Sequence, residues 1–281
     1  MKTLKLNNEV EIPVLGFGVF NISDEETKDA VASAIKAGYR HIDTAQLYLN
    51  ERGVGEGIKA SGIPRKELFI TTKIWINNTN YENARSSFMR SLEKLQLDYV
   101  DLLLIHQPYN DTFGAWRAMI ELKNEGKIRA IGVSNFGIDK LVDLSLFSEE
   151  KPVINQIELN PFCQQKEAVK QFKEEGVVVE AWSTFARGKD DIFNNKTLVD
   201  IAKKHNKTVA QIIIRYFIEQ DIVVLTKSSH PKRMKENLNV FDFKLDSDDI
   251  QKISALDRKE SQFFSHKDPK VIRSLAQRKA E

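Results

Sequence analysis

Three short runs, HIDTA at 41–45, LFITTK at 68–73 and YVDLLLI at 99–105, decide the fold of this chain. Each is apolar and rich in β-branched residues, the mark of a strand buried on both faces. Similar runs return at 128–134 (IRAIGVS), 152–159 (PVINQIEL), 177–182 (VVVEAW) and 222–225 (IVVL), with an eighth near Val14–Gly18. Segments of helical spacing lie between most of them. Thr79-Asn80-Tyr81-Glu82 predicts a capping box opening a helix that runs towards Leu97. Ser23 with Glu26 and Thr208 with Gln211 repeat that signature, and Gly38 stands where a helix-ending glycine belongs. Strands alternating with helices over roughly 250 residues predict an α/β fold, a (β/α)8 TIM barrel.

Working outward, TLKLNNEVEI at 3–12 places Asn7-Asn8 between two alternating runs and predicts an N-terminal β-hairpin. The mostly polar stretch from about Arg258 predicts a C-terminal loop and short helix over one end of the barrel. No low-complexity linker divides the chain, so 1–281 is expected to form one barrel domain. A doubly wound sheet is the competing fold, and it calls for a glycine-rich phosphate turn. Gly16-Phe17-Gly18 and Gly53-Val54-Gly55-Glu56-Gly57 do not complete G-x-G-x-x-G, and ordinary turns account for both.

Composition narrows the function. Lys+Arg 42 against Asp+Glu 40 leaves a formal net charge of +2, which argues against broad contact with nucleic acid or an anionic membrane. Cys163, the one cysteine, makes neither an internal disulfide nor a multi-cysteine metal site. MKTLKLNNEV lacks the apolar core of a signal peptide, and no run approaches the ~20 apolar residues of a membrane span. The expectation is a soluble, cytoplasmic monomer.

A barrel of this type carries its reactive groups at the C-terminal ends of the strands and in the loops beyond. The second strand ends at Asp43, with Tyr48 five residues on; the third ends at Lys73 and the fourth at His106. The intervals of 30 and 33 residues each match one β/α unit, so an acid, a cation and an imidazole face one mouth. Alone, Asp43 and Lys73 also fit a structural ion pair, Tyr48 a loop aromatic, and His106 a hydrogen-bonded rim histidine. Their coincidence at one end favours a reactive site. The clustered His/Asp ligands of a metal centre are absent, so no metal is expected.

GYRHIDTAQLYLNERGVGEGIK, FITTKIW, LQLDYVDLLLIHQP, GVSNF and NQIELNP follow one another in the order of the aldo-keto reductase family, which the chain resembles from about Gly16 to about Phe264. SQFFSHKDP at 261–269 makes it most similar to the bacterial branch typified by 2,5-diketo-gluconate reductases. The resemblance implies reduction of aldehydes, ketones, dicarbonyls or keto-sugars by hydride from a nicotinamide. The carbonyl becomes an alkoxide as hydride arrives, so its oxygen needs a proton donor. Tyr48 matches that donor. Lys73 matches the ammonium that favours its phenolate and lowers its pKa, Asp43 the group that holds Lys73, and His106 the group that orients the carbonyl oxygen.

The barrel rule also places phosphate-binding groups after the last strands, beside a helix N-terminus. TKSSHPKRMKEN at 226–237 follows the eighth strand, with Pro231 suited to a first helical turn and Lys227, Lys232, Arg233 and Lys235 preceding Glu236. Elsewhere this would read as a solvated basic helix start; here it predicts a phosphate clamp. By resemblance Lys227, Ser228 and Arg233 grip an adenosine 2′-phosphate and Glu236 and Asn237 contact the adenine, which implies NADPH/NADP. Ser134, Asn135 and Gln156 match the groups that hold the nicotinamide amide, Trp182 the aromatic that stacks on its ring, and Ser183 a pyrophosphate contact. Phe20 and Trp75 are expected to line the substrate site, with Gln107 as a polar edge.

Three departures from the family pattern stand out: Leu49 for a frequent glycine, Gln107 for tryptophan, and Thr184-Phe185-Ala186 for Pro-Leu-Gly. The competing readings are a cofactor-binding regulatory protein with little turnover, and a metal-assisted barrel hydrolase.

Overall fold

The computed structural model describes residues 2–280. An antiparallel pair, β1 (Thr3–Lys5) and β2 (Glu11–Pro13), forms the expected hairpin. Its chain turns at Leu6–Val10, where the Val10 carbonyl accepts from Leu6 N and Glu9 takes a positive φ of 70°. Eight parallel strands follow: β3 (Leu15–Gly18), β4 (His41–Asp43), β5 (Phe69–Ile74), β6 (Val100–Ile105), β7 (Ile128–Ser134), β8 (Ile154–Glu158), β9 (Val178–Trp182) and β10 (Val223–Thr226). They pair in sequence order and close where β10 meets β3, giving the (β/α)8 barrel. β5 and β6 are buried at every residue, as double-faced strands must be.

The hairpin stoppers the N-terminal end. Leu6 and Ile12 are buried and pack with Phe69, Leu102, Leu104, Ala130, Ile154 and Val223, the inward-facing residues at the floor of the barrel. Asn7 and Asn8 donate to the carbonyls of Pro152, Gly176 and Arg129, tying the turn to the rim. A second, larger core lies between the outer faces of the strands and the helices.

Three local expectations need correction. Gly16-Phe17-Gly18 is not a turn but part of β3, laddered to β4 and β10. Gly53–Gly57 is not a turn but part of the helix Glu51–Ser61. A Cβ on Gly53 would lie 2.3 Å from the Asp24 carbonyl oxygen and one on Gly55 2.2 Å from that of Leu95, so these glycines permit close helix contact. The helix predicted to open at Thr79 is capped by Asn80, whose side chain accepts from Asn83 N, and runs Tyr81–Leu95. Asn80 has the extended N-cap backbone, φ −159° and ψ 172°, while the Thr79 hydroxyl points back and donates to the Trp75 carbonyl. Elsewhere Ser23 caps Asp24–Ala37, Gly38 ends it at φ 123°, and Thr208 with Gln211 forms a complete box.

Candidate active site

Asp43 ends β4, Lys73 stands on β5, and His106 follows β6, so adjacent strands deliver them to one mouth. Tyr48 comes from a 3-10 turn, Gln46–Tyr48, in the loop after β4. Polar side chains pin that loop. Gln46 accepts from Trp75 N and donates to Ser87, while Asn50 donates to the carbonyls of Val19 and Ile22 and accepts from Thr44.

The ammonium of Lys73 is fully buried. It donates to Asp43 Oδ1 at 2.6 Å, to the Thr44 carbonyl at 2.9 Å and to the Tyr48 hydroxyl at 3.4 Å. Burial works to lower its pKa, but Asp43, Tyr48 and Glu180 more than offset this and hold it above the usual lysine value. For Tyr48 the balance differs from the expectation. Lys73 does pull its pKa down, yet burial is the larger effect and leaves the phenol above its ordinary 10.0. In the free protein Tyr48 is therefore a protonated acid. The His106 ring lies edge-on to Tyr48 at 5.7 Å and to Trp75 at 5.0 Å. Burial, then Lys73 and His266, hold its pKa well below the usual histidine range, so the ring is neutral. Neither ring nitrogen has a partner among the described residues, which leaves an N–H to offer an oxygen.

The residues assigned to the nicotinamide end form one connected group. Asn135 donates to Ser134 Oγ and to the His106 carbonyl, and accepts from Trp182 Nε1 at 2.9 Å. Gln156 donates to Asp43 Oδ2 at 2.9 Å. Ser183 has φ 53° and accepts from Arg187 Nε. Where the sequence predicts a phosphate clamp, Pro231–Leu238 is a helix with proline in its first turn. Lys232, Arg233 and Lys235 are exposed on it, and none pairs with a carboxylate among the described residues, as suits a waiting anion site. Lys227 donates to the Asn21 carbonyl, Ser228 accepts from His230 N, and Glu236 accepts from Thr208. Asn237 is buried, and its side chain hydrogen-bonds the Tyr39 hydroxyl.

The tail lies over the mouth, settling which end it covers. Glu158 accepts from Ser261 Oγ and Gln262 N, Tyr109 donates to the His266 carbonyl at 2.5 Å, and Trp75 Nε1 donates to that of Arg278 at 2.8 Å. Trp75 is thus buried behind His106 and fastened to the tail. Phe20 lies edge-on to Tyr48 at 5.0 Å, and the Arg187 guanidinium sits over both Phe20 and Phe263. Gln107 is buried, with an Oε1 that has no partner among the described residues. Thr184 donates to the Leu225 carbonyl, and Ala186 takes φ 46° in the place of a frequent glycine. Sequence reasoning passed over Arg187, His266, and two polar groups inside the barrel, His41 and Glu180. The last two carry a readable signal, a charged or titratable residue at an inward position of an apolar strand.

Comparison with known proteins accords with this geometry. The model of the Aldo/keto reductase family matches residues 14–258. The chain is 47% identical over 260 residues to the glyoxal reductase of Bacillus subtilis, covering 92% of this chain and 94% of that protein. It is 43% identical to the methylglyoxal reductase of Escherichia coli K12, covering 91% and 93%. Among solved structures, an aldo/keto reductase from Brucella melitensis superposes with a TM-score of 0.87 at 48% identity, over 91% of this chain and 99% of that one. One from Bombyx mori in complex with NADP gives 0.89 at 34%, over 94% and 95%. An ammonium fastened between a carboxylate and a phenol at the mouth of a stoppered barrel, with relatives of this kind across nine-tenths of the chain, makes this protein a member of the aldo/keto reductase family, an oxidoreductase acting on carbonyl groups.

Proposed function

We propose that the protein reduces small aldehydes and ketones, glyoxal-type dicarbonyls foremost, to alcohols with NADPH, Tyr48 giving the proton. The observation that carries this reading is the buried Lys73 ammonium between Asp43 and the Tyr48 hydroxyl, beside a neutral His106. The site residues fit the dinucleotide: unpaired cations on the helix 231–238 suit its 2′-phosphate, and Ser134, Asn135, Gln156 and Trp182 suit its nicotinamide end. When bound, the nicotinamide supplies the hydride. His106 offers an N–H to the carbonyl oxygen, orienting it towards Tyr48. As negative charge grows on that oxygen, Tyr48 delivers its proton, and Lys73 at 3.4 Å stabilises the phenolate left behind. Asp43 keeps Lys73 charged and in place. Phe20 and the tail exclude water, and Gln107 adds a polar edge suited to a second oxygen on the substrate.

The test is loss of NADPH absorbance with glyoxal, methylglyoxal, simple aldehydes and keto-sugars, with and without a chelator. Turnover that ignores the chelator is expected. NADPH binding without turnover on any carbonyl would overturn the reading in favour of a regulatory protein.

A further inference from the structure

Beneath the mouth, the inward face of β9 carries a carboxyl group that the carbonyl chemistry does not use. Glu180 is fully buried. Gln156 Nε2 donates to Glu180 Oε2 at 2.8 Å and to Asp43 Oδ2 at 2.9 Å, so one amide nitrogen bridges two carboxyl groups. An amide so placed is turned with its nitrogen towards them, because its oxygen there would repel the Asp43 carboxylate. The consequence is that Gln156 Oε1 accepts no hydrogen bond from any described residue. Glu180 Oε1 also lacks a partner and lies 3.8 Å from Nε2 of His41, a ring bonded to Thr71 Oγ1 at 3.0 Å. Charge is the second constraint. Two carboxyl groups, Asp43 and Glu180, share one buried cation, Lys73, and a second uncompensated carboxylate there would be costly.

We propose that Glu180 is a positioning residue for carbonyl reduction: as a neutral acid it fixes the Gln156 carboxamide with its oxygen free for the nicotinamide amide, and its ionisation disturbs the Asp43–Lys73–Tyr48 set. This rests on the functional reading above and names a residue outside it. Burial, and then the charge of Asp43, raise the Glu180 pKa to about 8, with Gln156 and Lys73 pulling against them. The titratable groups facing it are His41 and Asp43 from β4 and Lys73 from β5. On the flanking strands Gln156 and its register partner Val223 are uncharged, while Glu158 is turned to Ser261 and Gln262 of the tail. Burial, then the charge of Lys73, push the His41 pKa down to about 3, so it brings no cation to Glu180. Above pH 8 a carboxylate at 180 competes with Asp43 for Lys73 and makes Tyr48 a poorer acid. Since the Tyr48 phenol is itself raised above 10, an alkaline loss of activity that Glu180→Gln removes belongs to Glu180.

Glu180→Gln keeps an acceptor for Gln156 and removes the titration, whereas Glu180→Leu removes both. Turnover, NADPH affinity by fluorescence titration, and thermal denaturation without cofactor are followed from pH 5 to 9. Between pH 7 and 9 the wild-type kcat is expected to fall about tenfold, and that of Glu180→Gln less than about twofold. Glu180→Leu should weaken NADPH binding roughly tenfold through the freed Gln156 amide. A raised pKa costs folding stability as pH climbs from the unfolded carboxyl value through 8, so the Tm gain of Glu180→Gln over wild type should widen from pH 5 to 9. An alkaline fall equal in Glu180→Gln and wild type, or a Tm difference flat across pH, overturns the proposal. If the wild type turns over no carbonyl, the functional reading fails instead, and the binding and melting curves still decide the role of Glu180.

Discussion

Tyr48 and Lys73 share one hydrogen bond, and their roles separate by substitution. Tyr48→Phe removes the proton and keeps the ring against Phe20 and His106, so kcat should drop by about 10²–10⁴ while NADPH still binds. Wild-type turnover in that variant would remove Tyr48 from the chemistry. The next residue carries a different cost. Leu49 sits at φ 58°, ψ 24°, with its side chain exposed, a left-handed conformation that penalises a Cβ by roughly 1–2 kcal/mol. Leu49→Gly trades that strain for greater chain entropy, so denaturation should show a net gain below about 1 kcal/mol. A clear loss would mean that Leu49 packs on something besides solvent. These residues were legible because spacing alone set Asp43, Lys73 and His106 one β/α unit apart. The sign of the Tyr48 shift was not, since it depends on how deeply the phenol is buried, which no linear pattern encodes.

Among the elements, strands with continuous β-branched runs read directly: IRAIGVS became β7 residue for residue. The run at 152–159 opens on Pro152, which has no N–H to give a ladder; Val153 N already bonds the Ile131 carbonyl of β7, and β8 proper begins at Ile154. The glycines at 53–57 misled because a linear sequence shows flexibility where the fold uses the lack of a side chain. The helix Pro231–Leu238 bears the strongest prediction at this scale. Arg233 is exposed and has no carboxylate partner among the described residues, so Arg233→Ala should weaken NADPH about ten- to a hundredfold, the loss of a charged hydrogen bond, and leave NADH nearly unchanged. Binding titrations with both cofactors check this, and equal losses would dissociate Arg233 from the 2′-phosphate. The bond from Asn237 to Tyr39 joins this helix to the segment leading into β4, a long-range contact that the motif itself does not encode.

At the scale of the molecule, buried histidines govern acid stability. His41 is pushed down to about 3 and His266 to about 4, in both cases chiefly by burial, while unfolded histidine titrates near 6.5. Depressed values mean that the stability they support is whole above pH 6.5 and is lost as pH falls towards 3. Tm should therefore drop on acidification from 6.5 to 4, and His41→Gln should flatten part of that slope; an unchanged slope would show that His41 does not titrate on unfolding. The hairpin and the barrel were readable from local pattern, whereas the path of the tail across the mouth depends on single long-range bonds such as Trp75 to Arg278. The hairpin stopper has one more effect. With Leu6 and Ile12 packed across the floor, the buried Asp43, Lys73 and Glu180 are closed off from that end and meet solvent only by way of the mouth. If Tyr48 is the proton donor, then once reactants cap that mouth its proton is replaced only after they leave.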